Sequence, residues 1–135
     1  MFEYIEIGKL NRNILKRINV KLITDEVIFT IERLEHVESR RMSVYDEVKY
    51  MLPNAIKNPD YIYKDWNNRK DTLIFIKYID QNSKICIVIK IAKINDEKHS
   101  KNSIITMMKI GKKTFKKIYK NKSPNLLYEN IDKYE

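Results

Sequence analysis

One histidine stands among arginines in the run Thr30-Ile31-Glu32-Arg33-Leu34-Glu35-His36-Val37-Glu38-Ser39-Arg40-Arg41. Residues three and four apart are neighbours on a helix surface, so a helix here brings Arg33, His36 and Arg40 within reach of one another. An imidazole exchanges a proton near neutral pH. A guanidinium forks onto phosphate oxygens. Together they suit work on a phosphodiester. The plain alternative is a solvated helix face. Arg33 and Arg41 would then pair with Glu32, Glu35 or Glu38, and exposed pairs of that kind contribute little to stability.

The elements that must position these groups can be read from hydrophobic spacing. Thr30 is suited to cap the helix, with Ile31, Leu34 and Val37 as its apolar stripe and His36 off the centre of that stripe. Residues 3–8 alternate weakly and predict a short edge strand. Asn11–Asn19 places Ile14, Leu15 and Ile18 at helical spacing, and Glu26–Thr30 predicts a brief strand. Val44–Ile56 is the clearest helix, with Val44, Val48, Met51, Leu52, Ala55 and Ile56 on one face. Pro53 is expected to disturb that helix near its end. Asn58-Pro59-Asp60 is a turn. Tyr61–Tyr63 is a short strand, and 72–79 and 84–92 are long β-rich runs joined by a hairpin at Asp80–Ser83. Ser103–Ile110 closes an antiparallel meander, Thr114–Lys120 predicts a short basic helix, and the tail from Ser123 is expected to be loosely ordered. Helices first and a sheet second predict an α+β protein, N-terminal helices packed on a C-terminal antiparallel sheet. The 135 residues are read as one domain.

Composition narrows the function classes. The 27 Lys+Arg against 18 Asp+Glu give a net charge of +9, which favours polyanionic partners. A chain crowded with Lys, Ile and Asn also carries excess lysine without functional demand. The single cysteine, Cys86, lies in an apolar run and reads as a small buried hydrophobe. There is no CxxC pattern and no disulfide framework, which fits a reducing cytoplasm. Met1–Ile7 has no basic n-region, so no signal peptide is expected, and no apolar run is long enough to cross a bilayer. His36 and His99 do not share a zinc-ligand spacing, and no nucleotide-binding signature is present. No metal and no other cofactor is expected.

Three pieces recur in order: Thr30-x-x-Arg33-x-x-His36, Asn58-Pro59-Asp60, and Asn102-Ser103-Ile104-Ile105-Thr106. The set resembles the phage-associated branch of the barnase–EndoU–colicin–RelE-like nucleases, the BECR fold, over roughly Glu26 to Tyr128. In that branch a helix carries Glu-Arg, His and Arg, a turn reads Asn-Pro-Asp, two long strands follow, and the last strand carries Asn-Ser-Ile-Ile-Thr. A second histidine is often found beside the arginine there; this chain has Arg40-Arg41, and so one acid–base group fewer.

The resemblance implies metal-independent cleavage of RNA by a toxin-type endoribonuclease. In such cleavage the 2′-OH attacks phosphorus and leaves a 2′,3′-cyclic phosphate and a 5′-OH. That needs a base, an acid and cations around the phosphorane. On this expectation His36 transfers a proton, Arg40 neutralises developing charge and Thr106 holds the phosphate or the 2′-OH. Arg33, Arg41, Lys77, Lys90 and Ser103 bind substrate. The RNA is a tRNA, rRNA or mRNA, and an acidic antitoxin or immunity protein would cover the basic site. No membrane role is expected. His99 in its lysine-rich loop, Trp66, Tyr61 and Tyr63, and the cluster Lys112, Lys113, Lys116 and Lys117 have plainer structural readings. Two other classes stay open: a non-catalytic RNA- or DNA-binding module on the same scaffold, and an adaptor that docks an acidic protein.

Overall fold

The computed structural model describes residues 3–40, 44–94 and 101–131. Within them seven strands form one sheet: β1 (Tyr4–Lys9), β2 (Glu26–Thr30), β3 (Tyr61–Lys64), β4 (Thr72–Asp80), β5 (Ser83–Lys90), β6 (Asn102–Gly111) and β7 (Leu126–Glu129). Their spatial order is β1-β2-β6-β5-β4-β3-β7. All neighbours are antiparallel except β2 and β6, which run parallel. The helices are α1 (Arg12–Arg17), α2 (Ile31–Arg40), α3 (Val44–Val48), α4 (Leu52–Lys57) and α5 (Lys112–Asn121).

The α+β class is therefore as expected, but the sheet is not confined to the C-terminal half. β1 and β2 join it through the parallel β2–β6 pair, Val27↔Asn102 and Ile28↔Ser103. A five-residue strand such as β2 carries too little pattern to announce its neighbour, and a parallel partner must be reached by a long crossover.

Alternation along the strands sorts the core into two clusters. Ile85, Ile87 and Ile89 of β5 face one way and share a buried cluster with Ile14 and Leu15 of α1, Val37 of α2 and Leu52 and Ile56 of α4. Cys86 and Val88 face the other way, with Ile74, Ile76, Tyr61 and Tyr63, against Phe115 and Ile118 of α5. Burial on both faces explains why Leu73–Ile76 of β4 and Ile85–Ile89 of β5 read as continuous apolar runs. The aromatic rings belong to this second cluster: Trp66 meets Tyr63 edge-on at 5.6 Å, and Tyr61 lies 4.9 Å from Phe115. Those rings are committed to packing, so stacking on bases is not open to the buried Tyr61 and Tyr63.

Three expectations are corrected. The helix expected over 44–56 is divided into α3, a 3-10 turn at Lys49–Met51, and α4. Pro53 stands in the first turn of α4, where its missing amide costs nothing. The tail is ordered as far as β7, which pairs antiparallel with β3 through Ile62↔Tyr128. Four residues are too short for period-two alternation to show above a loop pattern. His99 lies outside the described residues.

Burial of Cys86 has a measurable consequence. It pushes the thiol up to about 12, from an ordinary value of 9.0. The fold thus holds the neutral thiol more firmly than the unfolded chain does. This contribution is complete below about pH 9 and is lost as pH rises through about 12. Iodoacetamide at mildly alkaline pH is expected to leave Cys86 unlabelled in the native protein and to label it in urea. Mass spectrometry reads the difference, and equal labelling rates in both states would contradict this burial.

Candidate active site

β6 begins with a buried asparagine that holds three segments together. Asn102 Oδ1 accepts from Ala92 N at 2.9 Å. Its Nδ2 donates to Thr24 O at 2.9 Å and to Glu26 O at 3.0 Å. One amide, with donors and an acceptor on the same head, thus ties the chain just past β5, the entry to β2 and the start of β6. The clasp fixes the register that follows, in which Ser103 stands opposite Lys90.

Next comes an irregularity that changes which side chains share a face. Ile89 pairs with Ile104, but Val88 pairs with Thr106, so Ile105 is an extra residue in β6. In a regular strand Ser103 and Thr106, three apart, would point to opposite faces. The bulge turns Thr106 onto the face of Ser103 and Lys90. On this face Lys90 and Ser103 are direct cross-strand partners, and Thr106 is the next position along. Side chains at such diagonal positions lie roughly 7–8 Å apart. All three are half-buried. Among the described residues, neither hydroxyl is engaged in a side-chain hydrogen bond and Lys90 makes no ion pair, whereas the nearby Thr24, Thr30 and Thr72 hydroxyls are all committed. The neighbouring cation is occupied too. Lys101 Nζ donates to Glu26 Oε2 at 2.8 Å, which holds the Glu26 carboxyl below its usual range and raises the Lys101 ammonium.

α2 starts where β2 ends. Thr30 Oγ1 accepts from Arg33 N at 3.3 Å, the expected N-cap. Val37 is buried and Leu34 packs beside the core, and the helix lies against β6 and α3. With about 100° between successive residues, Arg33, His36 and Arg40 fall on one flank roughly 60° wide, beside the Val37 stripe. Arg33 and His36 are exposed. Ser39 Oγ donates to the His36 carbonyl at 2.8 Å, inside the helix. The side chain of Arg40, and Arg41 entirely, lie outside the described residues.

Lys77 is placed elsewhere. It pairs across strands with Ile85, on the face opposite Thr106. Its Nζ donates to Asn58 O at 2.6 Å and lies 3.7 Å from Asp60 Oδ1, while Asp60 Oδ2 accepts from Tyr78 N at 2.8 Å. Asp60 is buried. The Asn58-Pro59-Asp60 turn is thus a clasp between the end of α4 and β4, and Lys77 is one of its members. Sequence reading missed the positioning roles of Asn102 and Asp60. The signal for Asn102 was a polar residue heading an apolar strand. For Ile105 as a bulge, composition carries no signal.

α2 lies on the Ile85–Ile87–Ile89 side of the sheet through Val37, whereas Lys90, Ser103 and Thr106 lie on the Val88 side, so the structure does not bring His36 and Thr106 together on one face. A histidine–arginine helix flank and a strand with free hydroxyls and a facing lysine each suit work on a phosphodiester, which points to the nuclease class. The family model described as phage-Barnase-EndoU-ColicinE5/D-RelE like nuclease 2 matches residues 6–129, and the chain belongs to that family. The match takes in most of β1 and all of α1, beyond the span over which the motifs alone were legible. No curated protein and no solved structure matches the chain.

Proposed function

We propose that this nuclease is a metal-independent endoribonuclease of toxin type, acting on cytoplasmic tRNA, rRNA or mRNA as a single domain. The bulge at Ile105 carries the reading, because it gathers Ser103, Thr106 and Lys90 on one face of β6; α2 packs on the other face, so His36 must meet the substrate from the far side of the strand. His36 takes the proton of the attacking 2′-OH, the P–O5′ bond breaks as the cyclic phosphate closes, and the leaving 5′-oxygen gains a proton. Thr106 holds the phosphate or the 2′-OH by its hydroxyl, and Ser103 supports it. Arg40 and Lys90 meet the charge on the phosphorane. With Arg40-Arg41 where a second histidine might stand, Lys90 is also the nearest candidate for the second proton transfer. Arg33 and Arg41 steer the phosphate backbone. Lys77 is assigned to the Asp60 clasp instead of to substrate. An acidic antitoxin or immunity protein would neutralise the same cations.

Incubation of the purified chain with total RNA in EDTA tests the reading. Discrete cleavage is expected, reduced about tenfold or more in Thr106→Ala and in Lys90→Ala, with circular dichroism unchanged. Intact RNA bound in a salt-sensitive way would replace catalysis with the binding-module reading.

A further inference from the structure

A second basic surface opens beside the row that carries the candidate site. Loops after α1 and between β3 and β4 enclose a cleft of about 1220 Å³. Arg12, Arg69 and Lys93 on its wall are neutralised by Asp25 at 3.2 Å, Asp65 at 2.6 Å and Asp71 at 3.7 Å. Lys16, Lys21, Lys64 and Lys70 are exposed and make no ion pair with any described residue. Asp71 is the one carboxylate among the lining residues, so the cleft keeps a strong positive excess.

Backbone geometry marks the same place. The described non-glycine residues with positive φ are Asn19 (61°), Asn68 (59°) and Asp71 (57°), and all three line this cleft. Such conformations cost free energy and persist where surrounding structure holds them, often at binding sites. Here they curl the two loops that carry Lys21 and Lys70, beside Lys16 of α1 and Lys64 of β3.

The chemistry of the lining selects the ligand. The floor is aliphatic, with Val20, Leu22, Leu73 and Ile91, and no aromatic ring lines the cleft. Base stacking, the usual grip on an unpaired strand, is therefore not offered. Riboses and phosphates are what an aliphatic floor under a lysine rim can hold. The cleft also neighbours the candidate site along the sheet. Thr72 lines it and pairs with Lys90, which in turn pairs with Ser103. Two strand spacings, about 10 Å, separate Thr72 from Ser103.

We infer that this cleft holds the sugar–phosphate backbone of RNA on one side of the cleaved bond, so that the protein prefers long or base-paired RNA to short oligomers. The identity of the strand rests on the nuclease reading above; the cleft's grip on RNA does not require cleavage. The test is fluorescence anisotropy on the full chain carrying His36→Ala, with a labelled long hairpin RNA and a short RNA oligomer, at several salt concentrations. Lys16→Gln, Lys21→Gln and Lys70→Gln are made together. The expected result is a loss of roughly tenfold or more in affinity for the hairpin, and a salt slope smaller by about 2–3. The wild-type preference for the long RNA shrinks with it. A control variant removes the same charge from α5 through Lys113→Gln, Lys117→Gln and Lys120→Gln.

Equal losses in the two variants would overturn the inference, since net charge alone would then explain binding. Unchanged hairpin affinity in the cleft variant would also overturn it, as would failure of the parent chain to bind RNA; a lysine-dependent grip on an acidic protein in its place would reassign the cleft. If the chain with His36 intact binds hairpin RNA through these lysines and leaves it uncut, the cleft stands and the ribonuclease reading falls.

Discussion

His36→Ala is expected to lower RNA cleavage by about 10²–10⁴-fold, the range for removing a positioned general acid–base group. The effect should fall on the rate, with affinity for RNA little changed, because a neutral imidazole contributes little to phosphate binding. Folding should be unaffected. The side chain is exposed, and the hydrogen bond at this position runs from Ser39 Oγ to the backbone carbonyl, which alanine keeps. The apolar anchor of the helix, Val37, is untouched. Arg40→Ala should lose rate as well, and its loss should not multiply with that of His36→Ala if both serve one transition state. Thermal unfolding and single-turnover cleavage, measured on the same preparation, check both halves. Full cleavage by His36→Ala would remove the imidazole from the mechanism.

Asn102→Ala is expected to cost about 3–5 kcal/mol of stability. Three backbone groups lose their partner at once: the buried Ala92 N and the half-buried Thr24 O and Glu26 O. Each buried polar group left unsatisfied costs roughly 1–3 kcal/mol. A domain of ordinary stability has only about 5–15 kcal/mol in total, so the variant stands near the edge of folding. Asn102→Asp should fare no better, since a carboxylate would replace two donated hydrogen bonds with repulsion from two carbonyls. Where Asn102→Ala still folds, in the cold or with osmolyte, cleavage should be impaired too, because the clasp sets the register that places Ser103 and Thr106. Urea unfolding gives the stability, and a loss below about 1 kcal/mol would show that water or a shifted backbone replaces the clasp.

The parts of this fold that were legible in sequence are those fixed by local patterns. The cap at Thr30 and the Leu34–Val37 stripe define α2, and they set His36 and Arg33 on its exposed flank. The long hairpin of β4 and β5 announces itself through two β-rich runs and a polar turn. What was not legible depends on partners far away in the chain. The parallel β2–β6 pairing joins two segments whose own sequences are unremarkable for that purpose. β7 has four residues and is held by β3, not by any pattern of its own. Lys77 and Lys90 look alike in sequence, each interrupting an apolar strand, yet odd spacing across the hairpin sends them to opposite faces. The decisive case is Thr106. Counting by twos from Ser103 places it on the wrong face, and only the bulge at Ile105 reverses that. A bulge is a relation between two strands, and one strand's sequence does not contain it.

The central claim is that cleavage proceeds by attack of the 2′-OH, with His36 and the Thr106 face as the machinery. The most direct measurement maps product ends, in EDTA, on an RNA cut at a single site and on the same RNA with one 2′-deoxy nucleotide before the cleaved bond. The account requires a 2′,3′-cyclic phosphate and a 5′-OH from the first, and no cut at that bond in the second. Cleavage of the deoxy-substituted bond, or products bearing a 5′-phosphate, would mean that water or another nucleophile attacks and that the assigned mechanism is wrong.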